Sequence, residues 1–144
     1  YPIAALVGTD ALRTVTANVF HTGSYWFSAA PMAAAIATLQ ELERLDAPSL
    51  LDACGRKLND GLVRIAKSHG FTLRVTGEPC MAYYRITDDE SQMLHQRWCA
   101  ECTRRGAYFT PHHNWFVSTA HSDADLQRTW DIADDAFRAL KATA

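Results

Sequence analysis

The sequence lacks the features that mark several large classes of protein. Its 144 residues carry 14 Lys and Arg against 16 Asp and Glu, a formal net charge of −2, so no excess of charge attracts nucleic acid or an anionic membrane. The longest uncharged apolar stretch, Tyr25 to Leu39, is too short to span a bilayer and contains Pro31. Neither nucleic acid nor a membrane is therefore expected as a partner.

Several catalytic and metal-binding motifs are also missing. There is no G-x-S-x-G motif, no phosphate loop followed by Lys and no H-E-x-x-H. The four cysteines (Cys54, Cys80, Cys99, Cys102) lie in helix-like or strand-like stretches, which favours a reducing cytoplasm over a disulfide framework. Cys99 and Cys102 have the C-x-x-C spacing, but no second ligand pair follows at a suitable distance, so we predict that they are structural.

The densest histidine group is His112, His113 and His121. No carboxylate lies among them before Asp123, and Pro111 places the adjacent pair in a loop. This pattern predicts ordinary hydrogen-bonded loop histidines and no metal site. The loop remains a candidate border of a cleft.

The hydrophobic fraction of 48% is enough for a sizeable core. From residue 46 onward the pattern predicts helix, strand, strand, helix, strand, strand, helix, which is an α+β unit with helices on one face of a small sheet. The first predicted helix runs to Gly70 and carries an apolar stripe of Leu51, Cys54, Leu58, Leu62 and Ile65. The second runs from a capping box at Thr87–Glu90 to Arg105. The third follows a second box at Ser122 and has an apolar face of Leu126, Trp130, Ala133, Phe137 and Leu140. The predicted strands are 72–76, 80–86, 107–109 and 115–118.

Residues 1–45 have the pattern of the end of a larger parallel α/β domain. A continuous apolar run, Ile3 to Val7, predicts a strand covered on both faces, and an alanine-rich helix to about Leu45 leads into the second part. Because a buried strand begins at the first residues, we expect the chain to be a fragment. Alone, its strand and helix would lose their cover and expose apolar surface.

The loop before that helix carries the strongest functional signal. Thr22, Gly23 and Ser24 precede an uncharged helix, where free backbone N–H groups and the helix dipole can hold an anion. From these residues alone, an ordinary N-cap followed by a buried helix is the favoured alternative.

An ordered set of segments resembles the class III aminotransferases, closest to the branch around glutamate-1-semialdehyde 2,1-aminomutase. The segments are Tyr1–Gly8, Ser24-Tyr-Trp, Ala34–Leu39, Gly106 and Asn114–Asp125. The resemblance implies the α/β type I pyridoxal-phosphate (PLP) transferase fold. Residues 1–45 would be the end of the large parallel-sheet domain, with its strand, phosphate loop and bridging helix, and residues 46–144 the small α+β C-terminal domain.

The resemblance also implies a homodimer with active sites at the interface. Its phosphate-binding Thr, which reaches the other subunit's PLP, corresponds to Ser24, and Thr22 and Gly23 would assist. The family's Gly-Asn-Pro after this position is replaced by Phe27-Ser28-Ala29. The Schiff-base lysine and the Asp that pairs with the pyridine nitrogen are expected upstream of Tyr1, so no catalytic residue is assigned here, and the chain alone should be inactive.

The resemblance assigns the substrate side to His113 and Asn114. Relatives acting on ω-amino acids commonly carry Arg at the position of Asn114, where it binds a substrate carboxylate through two hydrogen bonds. An amide cannot replace this bidentate clamp. We therefore predict an aminomutase-like enzyme or an aminotransferase for a small amino acid or amine. The alternatives are a non-catalytic dimerisation or interaction domain that keeps the fold, and a fragment that binds phosphate-bearing ligands by itself.

Overall fold

The computed structural model describes residues 1, 3–20, 23, 24, 26, 28–87 and 89–142. They divide into two compact units, Tyr1–Asp46 and Ala47–Ala144. The first unit contains a 3-10 turn (Asp10–Leu12), α1 (Arg13–Ala17) and α2 (Ala29–Arg44). The second contains α3 (Ala47–Ser68), β1 (Leu73–Thr76), a 3-10 turn (Pro79–Met81), β2 (Tyr83–Ile86), α4 (Met93–Arg104) and α5 (Asp123–Lys141). In these described ranges, every helix is too short or too polar to cross a membrane.

The first unit corrects two predictions. Ile3 to Val7 forms no strand, because a strand needs a hydrogen-bonded neighbour and the first unit supplies none among its described residues. α2 forms nearly as predicted, but of its residues only Pro31 is buried, whereas Ile36 and Leu39 are exposed. The helix has the apolar composition of a buried helix, but the described residues of this unit leave most of it exposed. The expected exposed apolar surface is therefore present.

α3 confirms the predicted apolar stripe and anchors the second unit. Leu58 and Leu62 are buried, and the helix ends just before Gly70, which has a φ of +85°. Gly61 lies against Trp130 of α5, since a Cβ at this position would be 2.2 Å from the indole Nε1. The side chain of Trp130 thus occupies the space that a larger residue at position 61 would need.

Among the described residues, β1 and β2 form one antiparallel pair, in which Leu73 faces Ile86 and Thr76 faces Tyr83. The second strand was predicted from residue 80, but it begins at Tyr83. Pro79 cannot donate a ladder hydrogen bond, and the chain forms a 3-10 turn there instead.

The predicted strands 107–109 and 115–118 form no ladder in the structure. Two backbone bonds do form: the N–H of Trp115 donates to the carbonyl of Ala82, and that of Val117 to the carbonyl of Cys80. The segment therefore pairs with the irregular 79–82 connection and not with a regular strand.

The predicted capping box over residues 87–90 is wrong. The N–H of Thr87 donates to the carbonyl of Thr72 and prolongs the hairpin, so Thr87 does not start a helix. The carboxylate of Asp89 instead accepts the N–H groups of Leu94 (2.7 Å) and His95 (3.1 Å), in the first turn of α4. One buried carboxylate thus satisfies two backbone donors at the start of the helix.

Asp89 is expected to make the second unit sensitive to acid. The hydrogen bond from the Ser91 hydroxyl, and then those from the N–H groups of His95 and Leu94, hold the pKa of Asp89 below its usual value. A lowered folded pKa gives stability that is complete above the unfolded pKa of about 3.9 and is lost as the pH falls through the folded pKa. Between about pH 6 and pH 3, the urea midpoint of the wild type should therefore fall more steeply than that of Asp89→Asn.

The matched control for this experiment is Asp60→Asn, which removes an exposed carboxylate from α3. Its pH dependence should follow the wild type. Equal slopes for Asp89→Asn and the wild type would show that the carboxylate does not support α4 through its ionised form.

The core of the second unit is aromatic and is closed by α5. Trp98 is fully buried, and its ring centroid lies 4.7 Å from that of Phe137 and 5.7 Å from that of Phe109.

The predicted second capping box is confirmed: Ser122 Oγ accepts the N–H of Asp125 (3.3 Å), and Asp125 Oδ2 accepts the N–H of Ser122 (2.8 Å). The predicted α5 stripe also lies in the core, with Leu126, Ala133, Phe137 and Leu140 buried and Trp130 partly buried.

Candidate functional site

The first unit contains a cavity of about 770 Å³ next to the predicted phosphate loop. Two of the predicted residues, Gly23 and Ser24, line it, whereas Thr22 lies outside the described residues. The wall is completed by the N-terminal segment and the first turn of α2, through Ile3, Ala4, Ala5, Leu6, Trp26, Ser28, Pro31 and Met32. None of the described residues that line the cavity is charged, so an anion there meets no carboxylate from this part of the chain.

The first turn of α2 supplies donors for such an anion. Its N-cap residue, Ser28, makes no side-chain cap hydrogen bond, and Pro31 has no N–H. The Ser28 side chain therefore accepts neither the N–H of Ala29 nor that of Ala30, and both groups lie at the positive end of the helix dipole. With the exposed hydroxyl of Ser24, this donor set suits a phosphate dianion. The residues present thus fit the phosphate group of PLP.

Gly23 is required by the shape of this loop. A Cβ on Gly23 would lie 2.1 Å from Nε1 of Trp26, so any larger residue would displace the indole. Trp26 also lines the cavity. The glycine therefore allows an aromatic wall to form directly beside Ser24.

The second unit presents His113 and Asn114 in the loop between α4 and α5. The side-chain Nδ2 of Asn114 donates to the carbonyl of Met81 (2.7 Å), which ties this loop to the Pro79–Met81 turn. His113 is exposed, with Nδ1 3.0 Å from the carbonyl oxygen of Asn114 and its ring 5.9 Å from that of Phe116. Asn114 is thus fixed in place, and the His113 imidazole is open to solvent. The two sets of predicted site residues, Gly23 with Ser24 and His113 with Asn114, lie in different units.

The sequence did not predict the Pro79–Met81 turn to which Asn114 is bonded, nor the residues that pack against this turn from α3 and β2. Asn59 of α3 is buried and donates from Nδ2 to the carbonyl of Pro79 (3.3 Å), while its Oδ1 accepts the hydroxyl of Tyr84. The only signal in the sequence is an asparagine directly after Leu58 of the apolar stripe. A buried side-chain amide with both ends used must have specific partners, but the sequence does not identify them.

Cys99, Cys102 and His95 are buried in the second unit, and His121 makes a local hydrogen bond. Burial raises the pKa of Cys99 to about 12 and also raises that of Cys102, so both side chains are neutral thiols in the core. His121 Nδ1 accepts the N–H of Ser118 at 2.9 Å. Burial, followed by the neighbouring His112, lowers the pKa of His95. Over the part of the chain that the structure describes, no three His, Cys, Asp or Glu side chains converge on a metal position.

All three lysines of the chain lie in the second unit. Lys57 forms an ion pair with Asp123, and Lys67 and Lys141 are exposed at the C-terminal ends of α3 and α5. The first unit, which contains the cavity, therefore has no lysine that could form a Schiff base.

Comparison with known proteins connects these features. No protein-family model matches the chain. It is 39% identical over 140 residues to an aminopentol aminotransferase of Sphingopyxis macrogoltabida, which covers 97% of the chain and 33% of that enzyme. It is 28% identical to a 3-aminobutyryl-CoA aminotransferase of Cloacimonas acidaminovorans and 26% identical to a glutamate-1-semialdehyde 2,1-aminomutase of Legionella pneumophila, with 98% of the chain covered in each case.

A solved structure extends the similarity to the fold. The chain matches the PLP internal aldimine form of the FumI protein of a Sphingopyxis species with a TM-score of 0.84 and 38% identity, over 92% of this chain and 32% of that one. The fold is therefore that of the PLP-dependent aminotransferases. More particularly, the chain is homologous to the class III aminotransferases and aminomutases, as the resemblance predicted, and aligns with their C-terminal part. It spans about a third of the length of these relatives.

Proposed function

We propose that this chain is the C-terminal part of an enzyme that uses PLP to transfer an amino group. The observation that carries the proposal is the first-unit cavity, whose wall includes Gly23, Ser24 and residues at the start of α2. This arrangement occurs in a chain whose fold matches that of a PLP-bound relative. The complete protein would act as an aminotransferase or an aminomutase.

Ser24 would hold the PLP phosphate by donating its hydroxyl hydrogen, and the N–H groups of Ala29 and Ala30 would add charge-assisted hydrogen bonds. We propose that Thr22 and the Gly23 backbone complete this cradle. When bound, PLP supplies an aldehyde carbon that accepts the amino group and a ring that takes up electrons. The residues of this chain orient it through the phosphate; the amine that binds the aldehyde would come from the preceding sequence.

We propose that the working protein is a homodimer in which Ser24 serves the cofactor of the other subunit. The apolar side chains that the first unit leaves exposed support this proposal, because surfaces of this kind require cover from the rest of the protein or from a partner. They include Leu6, Val7, Phe20, Ile36 and Leu39. The cytoplasm remains the predicted compartment.

We propose His113 and Asn114 as the substrate-lining residues, and a small amine or amino acid as the substrate. The neutral amide of Asn114 uses one of its two Nδ2 hydrogens on the Met81 carbonyl, which leaves Oδ1 as an acceptor for an ammonium or hydroxyl group and one N–H as a donor. Oδ1 suits an amine, and a neutral amide provides no charged bidentate clamp for a carboxylate. The similarity to an enzyme named for aminopentol agrees with an amine substrate.

The experiment that tests this function is a titration of the full-length protein with PLP, followed by visible absorbance and by amino transfer from a panel of amines. We expect the absorbance of bound cofactor and transfer from at least one amine. The 144-residue chain alone should fold its second unit and show neither. A folded, dimeric full-length protein without cofactor absorbance would instead support the non-catalytic interaction domain.

A further inference from the structure

We propose that Gly55 and Asn59 of α3 are positioning residues that determine where Asn114 lies, through the Pro79–Met81 turn. The inference rests on the proposed function, because Asn114 contacts the substrate only under that proposal. Neither α3 residue would contact the substrate. Their effect would pass through the backbone of the turn.

The first step is the contact between Gly55 and the turn. A Cβ on Gly55 would lie 2.2 Å from the carbonyl oxygen of Pro79, 2.4 Å from its carbonyl carbon and 2.7 Å from the N atom of Cys80. These are backbone atoms, so no rotation of a side chain can make room for a methyl group. The turn itself must move away from α3 if position 55 carries any side chain.

Asn59 fixes the same turn one helical turn further along α3. Its Nδ2 donates to the Pro79 carbonyl, and its Oδ1 accepts the hydroxyl of Tyr84 in β2. Tyr84 is itself buried, with its ring centroid 4.1 Å from that of Trp115, which directly follows Asn114. Burial raises the pKa of Tyr84, so its hydroxyl remains a donor across the physiological range. Asn59 therefore links α3, the turn and the sheet.

On its other side, the Pro79–Met81 turn and the adjoining Ala82 form hydrogen bonds with the loop between α4 and α5 that carries Asn114. Three successive carbonyls act as acceptors: that of Cys80 for the Val117 N–H (3.0 Å), that of Met81 for Asn114 Nδ2 (2.7 Å) and that of Ala82 for the Trp115 N–H (2.9 Å). Because all three acceptors belong to one short backbone segment, they move together. A displacement caused at Gly55 or Asn59 is therefore transmitted to the side chain of Asn114.

Gly61 provides a matched control on the same helix. It is buried like Gly55, and its Cβ would meet a neighbour at the same 2.2 Å, but that neighbour is the indole of Trp130 and not the turn. In the full-length protein, Gly55→Ala and Gly61→Ala should both lower the melting temperature. Only Gly55→Ala should raise KM for the amino donor, by about tenfold, because small displacements of a positioning group are costly.

Asn59 is tested by a double-mutant cycle with Asn114. Asn59→Ala and Asn114→Ala should each raise KM, and the double variant should have the KM of Asn114→Ala alone, since Asn59 acts through that side chain. Additive effects would overturn the inference. So would an equal KM for Gly55→Ala and Gly61→Ala.

A second measurement separates failure of this inference from failure of the proposed function. In NMR spectra of the 144-residue chain, the side-chain amide signals of Asn114, assigned by their loss in Asn114→Ala, should shift in Gly55→Ala and stay in place in Gly61→Ala. Equal behaviour of the two glycine variants would overturn the positioning role whatever the activity. The proposed function fails separately, if the wild-type full-length protein folds but neither binds PLP nor transfers an amino group.

Discussion

Replacing Trp98 by alanine is expected to lower the free energy of unfolding of the second unit by about 3–5 kcal/mol, the usual range for truncation of a buried aromatic side chain. Trp98 is 0% exposed, and its ring packs against those of Phe137, Phe109 and Trp115, which come from α5 and from the loop between α4 and α5. These neighbours are held by separate elements, so they cannot all close around the space that the indole leaves.

The measurement is urea denaturation of the 144-residue chain, monitored by circular dichroism because Trp98→Ala removes a fluorescent indole. Tyr108→Ala is the matched control, because Tyr108 is 80% exposed and its loss should cost less than about 0.5 kcal/mol. Trp98→Phe should give an intermediate loss. A Trp98→Ala variant as stable as Tyr108→Ala would mean that the core is not organised around this ring.

Ser24→Asp is expected to weaken binding of PLP to the full-length protein by at least about a hundredfold. The variant loses a hydrogen-bond donor and places a carboxylate against the phosphate. Two like charges about 4 Å apart repel by about 1–4 kcal/mol near a protein surface, and the phosphate carries nearly two charges. The new carboxylate would also compete with the phosphate for the positive end of the helix dipole at Ala29 and Ala30.

Two further variants at this position separate the hydroxyl from the charge. Ser24→Thr keeps the donor and should bind PLP nearly as well as the wild type. Ser24→Ala should lose about 1–2 kcal/mol, roughly tenfold in affinity. Ser49→Asp makes the same change in net charge at an exposed position of the second unit and should have no effect. Equal affinity for Ser24→Asp and Ser49→Asp would place the phosphate elsewhere.

The elements that were predicted correctly are those whose signals are local. The stripe from Leu58 to Leu62 and the box at Ser122 depend on residues a few positions apart, and both are found in the structure. The strand at Ile3–Val7 and the strand at 115–118 depend on partners distant in sequence. The first has no partner among the described residues of its unit, and the second pairs with an irregular turn, which a period of two residues cannot indicate.

The site divides in the same way. Ser24 and Gly23 were proposed because a loop before a helix is a local feature, which the family resemblance then aligned with a phosphate site; the structure shows that both residues line a cavity, and their role stays a prediction. Gly55 could not be found, since its importance comes from the carbonyl of Pro79, 24 positions further along the chain. Asn59 looked like one polar residue inside an apolar stripe. Only the folded chain shows that both of its polar ends are bonded.

The attachment of the loop to the turn also bears on how this protein could diversify. Two of the three bonds that hold the loop are between main-chain atoms, and the third uses only the amide of Asn114. The exposed side chains at His112, His113 and Phe116 make no contribution to those bonds. Natural variation at these three positions can therefore alter what the loop presents to a ligand while its path is inherited unchanged. In evolutionary terms, the main chain of the turn keeps the shape of the loop constant, while substitutions in the exposed side chains of the loop can change which ligand groups it contacts.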